Sequence, residues 1–198
     1  MAAHLFLYDA GHLGEKIAEG VVLPADFMER VNRYKHEETR SRSLCAYALL
    51  YQKLLEQGIE IESIVLTGNQ KPDFTKSHFN ISHSGDMVAV MISNEPCGVD
   101  IQLIDEAKDY EGVAKRVLSE ELYQQYLAAE DRAAFFAKAW AMLEAKLKRE
   151  GCGVATDHLL LDSLDYPYCE PIDSKGRHYC LSYCCSEELS TLRVIFEL

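Results

Sequence analysis

The chain has 198 residues, of which 48% are hydrophobic and 26% are charged, so it can bury a core as one domain or as two small lobes. Its 20 Lys and Arg are outnumbered by 32 Asp and Glu, which gives a formal net charge of −12. This acidic balance makes nucleic acid a poor candidate partner, and the sequence offers no membrane span of roughly 20 apolar residues.

In the first half, the pattern predicts a strand, two helices and then several short strands. The apolar run HLFLY predicts the first strand, and Pro24 opens a short helical stretch. Apolar side chains at helical spacing predict a long helix over 38–57, which Gly58 ends. Turn residues separate the predicted strands that follow and favour antiparallel pairing. These strands are 63–66, 79–82, 87–93 and 97–103.

The second half repeats this order. Helices are predicted at 119–128 and 131–150, the second with Asp131 as its N-terminal cap and Gly151 at its end. Short strands are predicted at 159–161, 179–183 and 192–196. A long helix with a small antiparallel sheet, occurring twice, predicts an α+β protein. We expect an N-terminal lobe of residues 1–104 and a C-terminal lobe of residues 105–198.

The cysteines indicate the compartment. Their number, seven, is odd, and their spacing is not that of a disulfide framework. We therefore expect reduced thiols in a cytoplasmic protein. His178, Cys180, Cys184 and Cys185 could suggest zinc, but no C-x-x-C spacing occurs, so a zinc site is disfavoured.

One candidate for chemistry lies in the predicted strand CGVDIQ. Asp100 and Gln102 fall on the same face of this strand, because side chains alternate. A carboxylate in an apolar strand is costly to bury unless it is paired or bound to a cation. An Asp that hydrogen-bonds a nearby turn is the simpler interpretation.

Two further segments hold candidate side chains. Glu144 and Lys148 follow Trp140 at intervals of four on the long second helix, beside its apolar stripe; an exposed Glu–Lys pair is the simpler interpretation. In FNISHSG, Ser82 and His83 could present a hydroxyl and an imidazole to a phosphate, although an ordinary β-turn has the same composition. They are not a hydrolase nucleophile and base, because adjacent strand residues point to opposite faces.

Taken in order, the three segments resemble the 4′-phosphopantetheinyl transferases of the larger, Sfp type. That family has an FNxSHS turn, then a G-[IV]-D-[IV]-E strand, then a W-x-x-K-E-A helix ending in a further Lys. The corresponding segments are FNISHS at 79–84, GVDIQ at 98–102 and WAMLEAKLK at 140–148. Each motif is weak alone, but the ordered set is specific. The likeness covers roughly residues 30–153.

The resemblance implies a fold and an activity. The fold is a pseudo-twofold duplication of two lobes, each a long helix packed on a small antiparallel sheet, with the active site between them. The activity is that of a holo-[acyl-carrier-protein] synthase type transferase, which moves the 4′-phosphopantetheine arm from coenzyme A to a serine of an acyl or peptidyl carrier protein. Mg²⁺ is the implied cofactor and coenzyme A the co-substrate. We expect a monomer, because a duplicated chain can complete its own site.

The resemblance also implies roles for individual residues. The metal ligands are Asp100, Gln102 and Glu144. Glu144 takes the proton of the carrier serine, and Lys148 stabilises or protonates the leaving phosphate. The residues implied to bind the nucleotide and phosphates of coenzyme A are Arg42, Ser43, Lys71, Ser82, His83 and Lys148. The stretch 29–42 is locally basic within the acidic chain, which suits an anionic ligand.

Two positions depart from the family pattern. Gln102 stands where the family has an acid, and Leu143 stands where W-x-x-K-E-A has Lys. We expect Leu143→Lys to raise activity or tighten coenzyme A binding, with a small loss of packing. These departures keep open a catalytically impaired homologue that binds coenzyme A or a carrier protein. An alternative of another class is a thiol-rich interaction module that uses the C-terminal cysteines.

Overall fold

The structure is a computed structural model, and it describes residues 3–10, 22–59, 64–66, 72–74, 77–152, 161–186 and 189–195. The described residues form five helices: α1 (Ala25–Asn32), α2 (Glu37–Glu56), α3 (Glu111–Val117), α4 (Glu120–Ala128) and α5 (Arg132–Glu150). They also form nine strands: β1 (Ala3–Asp9), β2 (Ile64–Leu66), β3 (Pro72–Phe74), β4 (His78–Ser84), β5 (Met87–Ser93), β6 (Gly98–Leu103), β7 (Tyr168–Ser174), β8 (Arg177–Cys184) and β9 (Leu189–Ile195).

The strands form two main sheets and a small ribbon. The first sheet has the order β4-β5-β1-β9, the second has the order β6-β8-β7, and β2 pairs with β3. All neighbouring strands are antiparallel except β1 and β9, which are parallel. The predicted sheets were purely antiparallel, so this pair is a difference, and it arises because the last strand returns to the sheet of the first.

Strand pairing crosses the predicted lobe boundary in both directions. β6 precedes residue 104 but pairs with β8, and β9 follows it but pairs with β1. The two halves of the chain therefore each contribute a strand to the sheet of the other half. The division into lobes 1–104 and 105–198 stays a prediction.

Each long helix packs on one sheet. α2 packs on β4 and β5, where Leu49, Leu50 and Phe79 are buried in one apolar cluster. α5 packs on β6 and β8 and buries Phe136 and Leu147 against α3 and α4. The face of β6 turned away from α5 carries Val99, which is buried in a third cluster with residues of β1 and β5.

The α+β class is confirmed, and so are the two long helices. Gly58, just beyond α2, and Gly151, after α5, both have positive φ, of 69° and 72°, as expected for helix ends. The Asp131 carboxylate accepts the Ala134 N–H at 2.8 Å, which is the predicted cap of α5.

Some elements differ from the sequence prediction. Neither α3 nor β7 was predicted. β7 contains Pro171, which disfavours a strand, but it is an edge strand, where proline is tolerated. The predicted strand 159–161 lies largely outside the described residues, and Leu161 forms an isolated parallel bridge with Leu118. None of the helices in the described ranges has the length and apolarity needed to cross a bilayer.

Candidate active site

The site is built where the edge strands β4 and β6 of the two sheets lie side by side. Side chains of β4 take the place of a backbone ladder and accept hydrogen bonds from alternate N–H groups of β6. The three bonds run from Val99 N–H to Asn80 Oδ1 at 3.1 Å, from Ile101 N–H to Ser82 Oγ at 3.3 Å and from Leu103 N–H to Ser84 Oγ at 3.0 Å. The FNISHS segment therefore joins the two sheets and fixes the position of β6.

Asp100 lies in the middle of this seam. The residue is only 5% exposed, and its Oδ1 accepts hydrogen bonds from Ser82 Oγ at 2.7 Å and from Lys148 Nζ at 2.6 Å. Lys148 Nζ also donates to the Val99 carbonyl at 3.2 Å. The charge of the buried carboxylate is thus compensated by an ammonium group from α5, as burial of a charge requires.

Gly98 allows α5 to come this close to β6. A Cβ at this position would lie 1.9 Å from the Ala145 carbonyl oxygen and 2.7 Å from the Arg149 nitrogen. Only glycine fits such a contact. On the neighbouring strand, the buried Cys184 thiol donates to the same Ala145 carbonyl at 3.4 Å. These contacts hold Lys148 next to Asp100.

Glu144 lies one turn before Lys148 on α5 and is half-buried. Burial raises the pKa of its carboxyl group above the usual value; Lys148 opposes this shift and the Asp100 carboxylate adds to it. Two carboxylates and one ammonium group therefore interact within one site. Carboxylate oxygens are ligands that Mg²⁺ prefers, so Asp100 and Glu144 are a donor set that fits this ion.

Gln102 lies two residues after Asp100 on β6, and so on the same face of the strand, as predicted. Its Nε2 donates to the Leu103 carbonyl at 3.2 Å. The described residues contain no group of three or more His, Cys, Asp and Glu side chains that could hold a metal. This site offers two carboxylates, Asp100 and Glu144, and the third predicted ligand, Gln102, is an amide. The role of Gln102 as a ligand stays a prediction.

His83 and Arg42 add positive or ionisable groups to the site. Burial lowers the pKa of His83 below its usual value, Lys148 and Arg42 lower it further, and Asp100 partly opposes them. The Tyr34 ring lies edge-on to the imidazole, with 6.2 Å between ring centroids. Because two helices, α2 and α5, bring the cationic groups of Arg42 and Lys148 towards one imidazole, the arrangement suits a bound anion.

The other predicted ligands of coenzyme A have different positions. Ser82 is consecutive with His83 on β4, and its hydroxyl bonds Asp100 and Ile101, which favours a role in positioning Asp100. Ser43 follows Arg42 on α2 and is 1% exposed. Lys71 lies outside the described residues. Direct contact of these three residues with coenzyme A stays a prediction.

Three features of the site were not predicted from the sequence. The sequence analysis did not assign a role to Gly98. It also did not predict that Asn80 and Ser84, which flank Ser82 on one face of β4, hydrogen-bond β6. The alternation of polar residues in N-x-S-x-S is a signal that could have identified a polar strand face. The close approach at Gly98 has no such signal, because it depends on where α5 packs.

Leu143 is 2% exposed and packs with residues of α3 and α4. It lies in the apolar stripe of α5 that also contains Phe136 and Leu147, as expected. The burial contradicts the expectation that Leu143→Lys would cost little packing, because an ammonium group there has to leave the core or be buried without a partner.

Comparison with known proteins gives consistent results. The family model described as 4′-phosphopantetheinyl transferase superfamily matches residues 96–195. The chain is 31% identical over 147 residues to 4′-phosphopantetheinyl transferase ffp of Bacillus subtilis, which covers 70% of this chain and 63% of the relative. It is 31% identical over 143 residues to 4′-phosphopantetheinyl transferase Sfp of Bacillus subtilis (strain 168), over 68% of this chain and 62% of the relative.

A third relative, 4′-phosphopantetheinyl transferase gsp of Aneurinibacillus migulanus, is 36% identical over 130 residues, which cover 62% of this chain and 53% of the relative. The chain thus aligns with less than two thirds of the length of each of these relatives. The family match spans Asp100, Glu144 and Lys148.

Proposed function

The chain belongs to the 4′-phosphopantetheinyl transferase superfamily, and we propose that it transfers the 4′-phosphopantetheine arm of coenzyme A to a serine of an acyl or peptidyl carrier protein. The observation that carries this proposal is the cluster of Asp100, Glu144 and Lys148 at the seam of the two sheets. The names of the three relatives above agree with the same reaction.

Asp100 and Glu144 would hold Mg²⁺, with Gln102 as a neutral third ligand. The bound ion would neutralise the pyrophosphate of coenzyme A and stabilise the charge on the transferred phosphoryl group. Ser82 donates to Asp100 and so fixes the orientation of this carboxylate. Holding a ligand carboxylate in place in this way is a common function of hydrogen bonds around metal sites.

Glu144 would act as the general base. It would take the proton of the carrier serine hydroxyl as the serine oxygen forms a bond to phosphorus, while the bond to the 3′,5′-bisphosphate adenosine breaks. Burial raises the pKa of Glu144, which makes its carboxylate a stronger base than an exposed one. Lys148, one turn later, would stabilise or protonate the departing phosphate.

His83 and Arg42 would bind the anionic part of coenzyme A together with Lys148. The lowered pKa of His83 means that the free protein holds this imidazole largely neutral near pH 7. A bound phosphate would favour the protonated form instead. We further propose that the protein works in the cytoplasm as a monomer.

An assay with several apo carrier proteins, coenzyme A and Mg²⁺ tests the proposal. The expected result is release of 3′,5′-bisphosphate adenosine that depends on a carrier protein, and its loss in Glu144→Gln. Coenzyme A binding without release, with every carrier protein tried, would instead support the catalytically impaired homologue that Gln102 and Leu143 keep open. Absence of both binding and release would reject the proposal.

A further inference from the structure

We propose that Lys148 is the counter-ion of Asp100 in the ligand-free site, and that a metal ion reaches Asp100 only when Lys148 moves to the phosphates of the substrate. The metal and the anion would then bind cooperatively. This inference rests on the proposed function, because it needs a metal and an anionic substrate at the same site.

A metal ion at Asp100 would need a carboxylate that Lys148 already occupies. Lys148 Nζ lies 2.6 Å from Asp100 Oδ1 and 3.2 Å from the Val99 carbonyl. An ion ligated by the same carboxylate oxygen would share it with the ammonium group, and the two cations would repel each other at close range. Ser82 already donates to that oxygen as well. A metal therefore competes with Lys148 for Asp100.

The Lys148 side chain is able to move from Asp100 to a bound phosphate. This side chain is 25% exposed, whereas that of Asp100 is 8% exposed, so the lysine is the partner of this ion pair that borders solvent. A flexible four-carbon stem allows Nζ to move without a change in the backbone. Moving the Lys148 ammonium group from the buried Asp100 carboxylate into water is unfavourable. A bound phosphate, however, offers it an equivalent charge-assisted hydrogen bond.

Binding of the metal and binding of the anion would therefore favour each other. A phosphate that draws Lys148 away exposes Asp100 to the metal, and a metal on Asp100 releases Lys148 to the phosphate. Linkage requires the two effects to be equal in free energy. The free protein would bind the metal weakly, and the complex with coenzyme A would bind it tightly.

Mn²⁺ binding, followed by electron paramagnetic resonance of the free ion, tests the inference without measuring activity. In the absence of coenzyme A, Lys148→Met should bind Mn²⁺ about 10-fold more tightly than wild type, the size of a typical coupling. Lys148→Arg keeps a cation beside Asp100 and should bind Mn²⁺ as weakly as wild type. Coenzyme A should raise Mn²⁺ affinity more in wild type than in Lys148→Met.

The chain provides a matched control. Lys175 Nζ lies 2.6 Å from Oδ2 of Asp9, another buried aspartate, and Ser174 Oγ donates to the same oxygen at 3.4 Å. Lys175→Met removes a similar ion pair elsewhere and should leave Mn²⁺ affinity unchanged. Circular dichroism and thermal unfolding show whether each variant is folded. If Lys148→Met unfolds, Lys148→Gln replaces it, because the glutamine amide can still donate to Asp100.

Equal or weaker Mn²⁺ binding by folded Lys148→Met or Lys148→Gln would overturn the inference. Mn²⁺ binding by no variant, with or without coenzyme A, would overturn both the inference and the metal site of the proposed function. If the tighter Mn²⁺ binding appears but no carrier protein is modified, the transfer reaction fails and the competition between Lys148 and the metal is supported.

Discussion

Two buried aspartates of this protein have nearly the same first partners. Asp100 accepts from Lys148 Nζ at 2.6 Å and from a serine, and Asp9 accepts from Lys175 Nζ at 2.6 Å and from a serine. Each pair joins segments that are distant in sequence. Asp9 ends β1, and Lys175 lies in the turn between β7 and β8.

The surroundings of the two aspartates differ. Asp100 shares its site with Glu144, whose pKa it raises, and with His83, whose pKa Lys148 and Arg42 lower. Lys175 is 49% exposed in a tight turn, and a second ion pair, Arg177 to Asp86 at 2.8 Å, ties the same hairpin to the first sheet. A buried ion pair by itself therefore does not indicate a catalytic site. A second carboxylate and cationic groups close to the same ion pair do indicate one.

Replacing each aspartate by asparagine gives the largest expected difference. Asp100→Asn removes a proposed metal ligand and should lower the transfer rate about 10²- to 10³-fold, a typical effect of losing a main electrostatic group. Asp9→Asn should change the rate by less than about threefold, because the described partners of Asp9, Lys175 and Ser174, belong to the β7–β8 hairpin, and it should lower stability. Steady-state kinetics and urea unfolding of both variants provide the comparison. Equal losses of rate would show that the two ion pairs do not differ in function.

The close contact between α5 and β6 can be tested at Gly98, with Gly112 as a control. Gly98→Ala places a Cβ 1.9 Å from the Ala145 carbonyl oxygen and should lower the free energy of unfolding by about 3 kcal/mol, as overpacking does. In Gly112→Ala the new Cβ meets no atom within 4 Å, and the change should raise helix stability by about 0.5 kcal/mol. Urea unfolding measures both. A Gly98→Ala variant as stable as wild type would mean that α5 is not held this close to β6.

Leu143→Lys tests whether the family lysine can be restored. Because Leu143 is buried, the variant should lose about 2 kcal/mol of unfolding free energy. Leu55→Lys, at an exposed position of α2, is the control and should be almost neutral. Thermal unfolding and the affinity for coenzyme A are measured together. A stable Leu143→Lys protein with tighter coenzyme A binding would show that the lysine reaches the cleft after all.

The smallest expected effect is on the pH dependence of stability. The folded protein raises the pKa of Glu144 above its value of 4.5 in the unfolded chain, so the protonated form stabilises the fold and this contribution is lost as pH rises through the folded pKa. At pH 7 the ionised carboxylate thus opposes folding. Glu144→Gln should raise the free energy of unfolding by on the order of 0.5 kcal/mol at pH 7, and the gain should shrink below pH 4.5.

Denaturant unfolding of wild type and Glu144→Gln over a range of pH checks this expectation. Glu121→Gln, on the exposed side of α4, is the control and should show no such gain. A Glu144→Gln variant that is less stable than wild type at pH 7 would mean that ionised Glu144 is well paired, with its pKa lowered instead.

The side chains that meet around Asp100 could be selected from the sequence because they lie in short local patterns, and their roles stay predictions. Asp100 interrupts an apolar strand, and the interval of four between Glu144 and Lys148 follows from helix geometry. The contact between Asp100 and Lys148 joins residues 48 positions apart and was not predicted, because the family resemblance implied a metal for Asp100 and a phosphate for Lys148. The general class and the long helices were predicted for the same local reasons.

The remaining features depend on long-range packing. The pair of Asp9 and Lys175, and the parallel pairing of β9 with β1, bring together the two ends of the chain, and no local pattern encodes them. β7 carries a proline that disfavours a strand locally, yet its position at the sheet edge permits it. Ser82 was predicted to bind phosphate from the polar turn FNISHSG and from the family resemblance. Its hydroxyl donates to Asp100 in the folded protein, and phosphate binding stays a prediction.

Phosphopantetheine transfer at the seam around Asp100 is tested most directly by the intact mass of an apo carrier protein after incubation with this protein, coenzyme A and Mg²⁺. If the proposed transfer takes place there, the carrier gains the mass of one phosphopantetheine arm. The gain should be lost when the acceptor serine is replaced by alanine, lost with Asp100→Asn and kept with Asp9→Asn. No mass gain on any of several carrier proteins, or a gain that survives Asp100→Asn unchanged, would contradict transfer at this seam.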